Sequence, residues 1–236
     1  MTFEVKTAKM NDFPMPSVPL RAVVFDLDGL MFNTEDLYQE TGRTILARRG
    51  CEFEPALIDQ MMGRPSLKAL EIMIQWNKLS DTVESLAAES AEVLFGLLNS
   101  QLCPMPGLLE LLNALEHASI PKGIATGSGR QFLDRVLTQS QLADRFAFTI
   151  AGDEIEHGKP APDIYLLAAE KHGVLPQQVL VLEDSQLGCQ AAVAADTYAV
   201  AVPSGHSHTH SFPGAKFVAK SLADAKIYLA LGIEPC

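Results

Sequence analysis

The chain is short of positive charge. Its 18 Lys and Arg stand against 29 Asp and Glu, a formal net charge of -11, so most of the surface repels polyanions, which argues against a general nucleic-acid or membrane-surface binder. A small anionic substrate in a local positive pocket is still allowed. Cysteine is also scarce. Cys51, Cys103, Cys189 and Cys236 lie far apart with no CxxC spacing, which argues against a zinc site or a disulfide framework and suits reduced thiols in a cytoplasmic protein. No apolar run approaches the ~18 residues of a membrane-crossing helix. The first nineteen residues carry Lys6, Lys9, Pro14, Pro16 and Pro19 rather than an apolar signal segment and read as a flexible tail. No internal repeat is visible. What remains, 236 residues of which 47% are hydrophobic and 20% charged, can bury a substantial core as one large domain or as a core with an insertion.

The stretch Val23-Val24-Phe25-Asp26-Leu27-Asp28-Gly29-Leu30 organises the rest. An apolar, β-branched run ends in two aspartates and a glycine, the pattern of a buried strand with its polar chemistry at the carboxyl end, where open α/β sheets bind ligands. Two carboxylates on the same side of an extended backbone repel each other unless a cation, a proton or a cationic side chain lies between them.

In chain order, Thr34 is a candidate cap for a helix from about Glu35 to Arg49 with Gly50 as its stop, and Pro55 to Met62 is a shorter helix. After the Gly63-Arg64-Pro65 break, Ser66 caps a stretch from Leu67 to Leu79, and Ser80 opens a helix to about Leu102. Residues 36–103 therefore read as an all-helical insert. From Pro104 on, helices alternate with short apolar strands, the signature of βα units on a parallel sheet. Strands are expected at Lys122 to Ala125, Phe146 to Ala151, Val179 to Leu182 and Tyr198 to Val202. The unusual polar residues, Asp26, Asp28, Thr126, Lys159, Glu183 and Asp184, fall at or after strand ends on one sheet edge and can meet in one pocket.

That set permits phosphoryl chemistry. An ionised aspartate is a nucleophile without an activating base. Asp26 and Asp184 offer hard oxygens that suit Mg²⁺, Lys159 supplies charge for a phosphate and tethers the nucleophile, and Thr126 with the amides of Gly127 and Ser128 makes an anion cradle at a helix N-terminus. The ordered patterns FDLDGLMFNTE, ATGS, GKPAPD and VLEDS closely resemble the four motifs of the haloacid dehalogenase superfamily of phosphohydrolases. The resemblance spans about Leu20 to Val202, with the helical insert where that family has its α-helical cap. It implies a Rossmann-like α/β core (20–35 and 104–236), a cap domain (36–103) and an aspartyl-phosphate intermediate on Asp26. It further implies that Asp28 acts as general acid and base, and that Mg²⁺ sits on Asp26, the Asp28 carbonyl and Asp184, with Glu183 supporting. The phosphoryl group would be held by Thr126, Lys159 and the backbone at Leu27 and Gly127, with Asn33 and Thr34 hinging the cap. Arg64 is a candidate substrate reader from the cap.

Asp28 favours phosphate over halide chemistry, since dehalogenase members lack an acid there. Hydrolysis of a small phosphomonoester by a monomer is the first expectation. A β-phosphoglucomutase-like mutase is the alternative, opposed by Met62 and Ser66 standing where that pattern carries a basic pair. A receiver-like phosphoacceptor or a structural protein with a silent site belong to other classes. The His206-Ser207-His208-Thr209-His210 run reads as a polar loop ahead of a transition-metal site.

Overall fold

The computed structural model describes residues 13–61 and 66–235. Six strands form a single all-parallel sheet: β1 (Ala22–Phe25), β2 (Lys122–Ala125), β3 (Phe148–Ile150), β4 (Val179–Glu183), β5 (Tyr198–Ala201) and β6 (Phe217–Val218), in the order β3-β2-β1-β4-β5-β6. The chain builds outward from β1 to β3, then returns to the other side of β1 with β4. This reversal is a topological switch point, so the carboxyl ends of β1 and β4 flank a crevice.

Side-chain alternation explains why the sheet is covered on both faces. Val23, Phe25, Ile124, Leu180, Leu182 and Val200 pack on one face with α5 (Leu108–His117), α6 (Arg130–Ser140) and α9 (Ala225–Leu231). Ala22, Val24, Ala125, Ile150, Val179, Val181 and Ala199 pack on the other with α7 (Asp163–His172) and α8 (Gln186–Ala194). Period-two alternation with both sides apolar is what a doubly covered parallel sheet requires.

Between β1 and β2 lie α1 (Thr34–Ala47), α2 (Pro55–Met61), α3 (Ser66–Asn77) and α4 (Val83–Gln101). Ile45, Leu46, Leu57, Leu70, Met73 and Leu86 make an apolar cluster of their own, whereas Leu94 and Leu98 from the second half of α4 join the main core. Where the chain crosses between these helices and the sheet, Asn33 ties entry to exit: its Oδ1 accepts from Cys103 N at 2.8 Å and its Nδ2 donates to the Gln101 carbonyl at 3.2 Å.

Four local expectations are corrected. Within the expected tail Phe13 and Pro14 are docked: Phe13 is buried with its ring centroid 4.8 Å from that of Phe217, and the Tyr198 hydroxyl donates to the Pro14 carbonyl at 2.5 Å. Helix α4 opens at Val83 and not at Ser80: its cap is Thr82, in a reciprocal pair with Ser85, and Asp81 before it pairs with Arg49. Ser66 is helical, the first described residue of α3, and not a cap before it. Thr34 does not cap α1. It is the first helical residue, fully buried, and its hydroxyl accepts from Gly29 N at 3.2 Å.

Candidate active site

Past Phe25 the β1 backbone makes one more ladder bond, Asp26 N to the Leu182 carbonyl at 3.0 Å, and then turns. Gly29 makes that turn with φ +71, and a methyl group there would overlap the Asp184 carboxylate. Thr34 holds the Gly29 N–H and Ser204 donates to the Gly29 carbonyl at 2.7 Å, so the peptide groups before and after Gly29 are both braced. The turn thereby brings Asp26, at the end of β1, and Asp184, just past β4, to the same crevice.

Lys159, in the loop before α7, reaches the end of β1. Its Nζ donates to Asp26 Oδ1 at 2.5 Å, to Glu183 Oε1 at 2.6 Å and to the Ala125 carbonyl at 3.2 Å, which uses all three donors of an ammonium. Burial works against the lysine charge, but Asp26 and Glu183 outweigh it and hold its pKa well above the ordinary value. Lys159 is therefore a fixed cation that orients the Asp26 carboxylate.

The two aspartates have unlike surroundings. Asp28 Oδ2 accepts from the Ser128 hydroxyl at 2.6 Å and the Thr126 hydroxyl at 3.2 Å, while Oδ1 is buried without a hydrogen-bond partner. Burial raises the Asp28 pKa, with the hydroxyls of Ser128, Thr34 and Thr126 and then Lys159 pulling the other way. Asp26 is pushed up to about 8, first by burial, with Glu183 and Asp28 adding to the rise against the pull of Lys159. Asp184 is pushed up to about 9 by burial and by Asp26, Glu183 and Glu35. One lysine does not neutralise this many carboxylates.

The donor set fits a hard divalent cation. Asp26, Glu183 and Asp184 offer carboxylate oxygens within 4.8 Å of one another, the one such group among the described residues, and the surplus negative charge is what Mg²⁺ offsets. Gly205–Thr209 form a short 3-10 helix with His210 as its C-cap, and His208 and His210 are not in that group.

Of the residues expected from sequence, Asp26, Asp28, Thr126, Lys159, Glu183 and Asp184 come together. Leu27 has its side chain in the core, leaving only its backbone for a ligand. Gly127 is exposed beside Thr126. Arg64 and Met62 lie outside the described residues. The expected cradle differs: the Ser128 amide donates to Thr126 Oγ1 at 3.1 Å, and the first amide of α6, Arg130 N, is taken by the Asp153 carboxylate at 3.0 Å. A carboxylate two loops away competes for the helix end, and local sequence carries no sign of it. The Ser128 hydroxyl, Ser204, Tyr165 and Glu35 join the site without being among the residues expected from sequence. Glu35, solvent-exposed in the first turn of α1, has its pKa raised by partial desolvation and by Asp28 and Asp36. Ser128 and Glu35 had a signal, their places in the ATGS and FDLDGLMFNTE patterns; Ser204 and Tyr165 had none.

Glu183 is fully buried against Gly188 of α8, where a methyl group would overlap both carboxylate oxygens. Gly188→Ala is therefore expected to displace Glu183, lower stability by about 1–3 kcal/mol through overpacking and reduce any activity of the site. Thermal denaturation checks it, and an unshifted midpoint contradicts the packing argument.

A profile of the family described as haloacid dehalogenase-like hydrolase matches residues 23–202. The chain is similar to fructose-1-phosphate phosphatase YqaB of Escherichia coli (strain K12), 31% identical over 180 residues, 76% of this chain and 95% of the other. It is 36% identical over 214 residues to (DL)-glycerol-3-phosphatase 1, mitochondrial, of Arabidopsis thaliana, 86% of this chain and 71% of the other. The crystal structure of a putative β-phosphoglucomutase from Thermotoga maritima resembles it with a TM-score of 0.76 at 28% identity, covering 90% of this chain and 97% of that one.

Proposed function

This chain belongs to the haloacid dehalogenase-like hydrolases, and on that premise we propose that it hydrolyses a small phosphomonoester, a sugar phosphate or similar metabolite, through an aspartyl-phosphate on Asp26. The observation that carries the reading is the division of labour between the aspartates: Asp26 is gripped by a buried cation, whereas Asp28 is held by hydroxyls with one oxygen unpartnered. Two carboxyl groups kept in unlike environments are how one site provides a nucleophile and an acid.

In the proposed sequence Asp26 attacks phosphorus and the ester oxygen leaves with a proton from Asp28, whose burial-raised pKa suits it to carry one. Asp28 then takes a proton from the water that cleaves the acyl phosphate and regenerates Asp26. Thr126 and Ser128 orient Asp28. Lys159 orients Asp26, and a bond from it to a phosphoryl oxygen requires trading one of its three present partners. Mg²⁺, when bound at Asp26 and Asp184 with the Asp28 carbonyl, supplies charge neutralisation for the phosphoryl group. Residues 36–103 serve as a cap that excludes water and selects the alcohol, with Asn33 at its hinge and Arg64 as its substrate reader. Thr34 braces the Gly29 turn.

Hydrolysis is preferred to phosphoryl shuttling between sugar positions. The sequence relatives above are named phosphatases, and Ser66, exposed at the start of α3, has no charge to grip the second phosphate of a bisphosphate intermediate. The relatives differ in the alcohol they release, so the class of substrate follows from family and the individual substrate does not. The deciding assay measures phosphate release from p-nitrophenyl phosphate and a panel of sugar, glycolytic and nucleotide phosphates with Mg²⁺. It is paired with β-glucose 1-phosphate plus a trace of the bisphosphate. Rapid glucose 6-phosphate formation without phosphate release overturns the hydrolase reading, and a stable phosphoprotein without turnover favours a receiver-like switch.

Metal dependence of stability follows from the same charges. Asp26 and Asp184 have folded pKa values raised to about 8 and about 9, above the ~3.9 of an unfolded aspartate. Their contribution is fully present below about pH 4 and is lost as pH rises through 8 to 9. Mg²⁺ takes the place of those protons. The added thermal stability from Mg²⁺ over a chelator control is therefore expected to be small at pH 5 and several degrees at pH 8; equal shifts at both would contradict it.

A further inference from the structure

The Glu183 carboxylate is saturated. It is fully buried at the end of β4. Oε1 accepts from Lys159 Nζ at 2.6 Å and from the Tyr165 hydroxyl at 2.6 Å, and Oε2 accepts from Ser185 N at 3.2 Å and the Ser185 hydroxyl at 3.0 Å. Four donors fill the roughly four acceptor directions of a carboxylate, so little capacity remains for a cation. Proximity groups Glu183 with Asp26 and Asp184, but its bonding marks it as the counter-charge of Lys159.

We propose that Tyr165 is a positioning residue for the reaction, its hydroxyl fixing Glu183 so that Glu183 in turn sets Lys159 against Asp26. This rests on the hydrolase reading above. Tyr165 is wholly buried in the Ala22, Val24 and Val181 cluster under the sheet, so its place is set by core packing and is independent of the loop that carries Lys159. The same side chain meets both members of the ion pair: the hydroxyl bonds Glu183, and the Lys159 ammonium lies 5.1 Å from the ring centroid. A buried phenol needs some acceptor. That this one shares the oxygen that holds Lys159 couples core packing to the direction of the nucleophile. Without the hydroxyl, Oε1 has Lys159 as its sole donor, and the shared ammonium shifts toward Glu183 and away from Asp26.

Tyr165→Phe keeps the ring, its packing and all charges. A hydrogen bond to a charged group is of a size that corresponds to about a tenfold effect. The expected result is kcat for p-nitrophenyl phosphate lowered about tenfold, with KM and the Mg²⁺ dissociation constant from calorimetry each within about twofold of wild type. In a Glu183→Ala background the added effect of Tyr165→Phe should vanish, because the acceptor through which Tyr165 acts is gone. Wild-type kcat in Tyr165→Phe, or the same loss in both backgrounds, overturns the proposal, and so does a lost Mg²⁺ affinity. A purely structural tyrosine would lower the melting temperature and leave kcat of the folded fraction unchanged, which is also an overturning result. If Tyr165→Phe does not fold, 3-fluorotyrosine at position 165 alters the acidity of the hydroxyl with almost no change in shape, and an unchanged kcat there overturns the proposal.

The ¹⁹F spectrum of the beryllium trifluoride complex, a mimic of aspartyl phosphate, reads the same geometry without turnover. The fluorine facing Lys159 is expected to shift in Tyr165→Phe, and an identical spectrum counts against the proposal. A wild-type protein that neither turns over nor binds the mimic removes the hydrolase reading and this inference together. An active wild type with an indifferent Tyr165 removes this inference alone.

Discussion

Asp26→Asn is expected to abolish phosphate release, by about ten-thousandfold or more, the scale on which loss of a nucleophile acts. The amide cannot form the acyl phosphate, so no phosphoenzyme should be seen by intact mass with p-nitrophenyl phosphate and Mg²⁺. Folding should survive. Asp26 is a buried carboxylate pushed up to about 8 by burial and by neighbouring acids, and a neutral side chain there relieves that repulsion above about pH 4. In the presence of a chelator at pH 8 the variant should melt no lower than wild type. An inactive but intact protein separates a chemical role from a structural one, and residual turnover within a hundredfold of wild type would displace Asp26 as the nucleophile.

Asp28→Asn should cost two to four orders of magnitude in turnover, the usual worth of general acid-base catalysis. Its signature differs from that of Asp26→Asn. Nitrophenolate leaves without help from an acid, so the first step persists, whereas hydrolysis of the acyl phosphate loses its base. Phosphate should therefore accumulate on Asp26 and be visible by intact mass, with a burst of nitrophenolate followed by slow release. With an unactivated sugar phosphate both steps should suffer and no burst should appear. Equal losses on both substrates without a phosphoenzyme would place Asp28 outside proton transfer, as a support for the turn at Gly29.

The sheet centre and the site acids were legible because β1 and β4 are short, apolar on both faces and closed by residues with no packing value. Val179 to Leu182 followed by Glu183-Asp184 is an example. The four-residue limits of β2 agree with expectation because Pro121 and Thr126-Gly127 bound it on either side. Element edges shifted where a side chain found a distant partner. Thr34 looks like a cap by type, yet its hydroxyl serves Gly29. Ser80 looks like a helix start by type, yet Thr82 caps α4, since its hydroxyl and that of Ser85 satisfy each other's backbone N–H groups. On α3, Leu70 and Met73 turn inward and leave Trp76 partly exposed, which the residue types alone do not indicate.

Sequence by itself determined which chemical groups the site would contain, since strand ends are marked by local composition and their order along the chain places them on one edge of a parallel sheet. It determined the family as well, through four motifs whose residue types serve one reaction. Tertiary structure decided which group holds which. The bonds from Thr126 and Ser128 to Asp28, from Lys159 to both Asp26 and Glu183, and from Tyr165 to Glu183 join residues separated by 18 to 133 positions. Hydrogen-bond capacity is finite, so the partner a carboxylate takes depends on every donor that the fold delivers to it, and that competition is settled only when the strands are side by side.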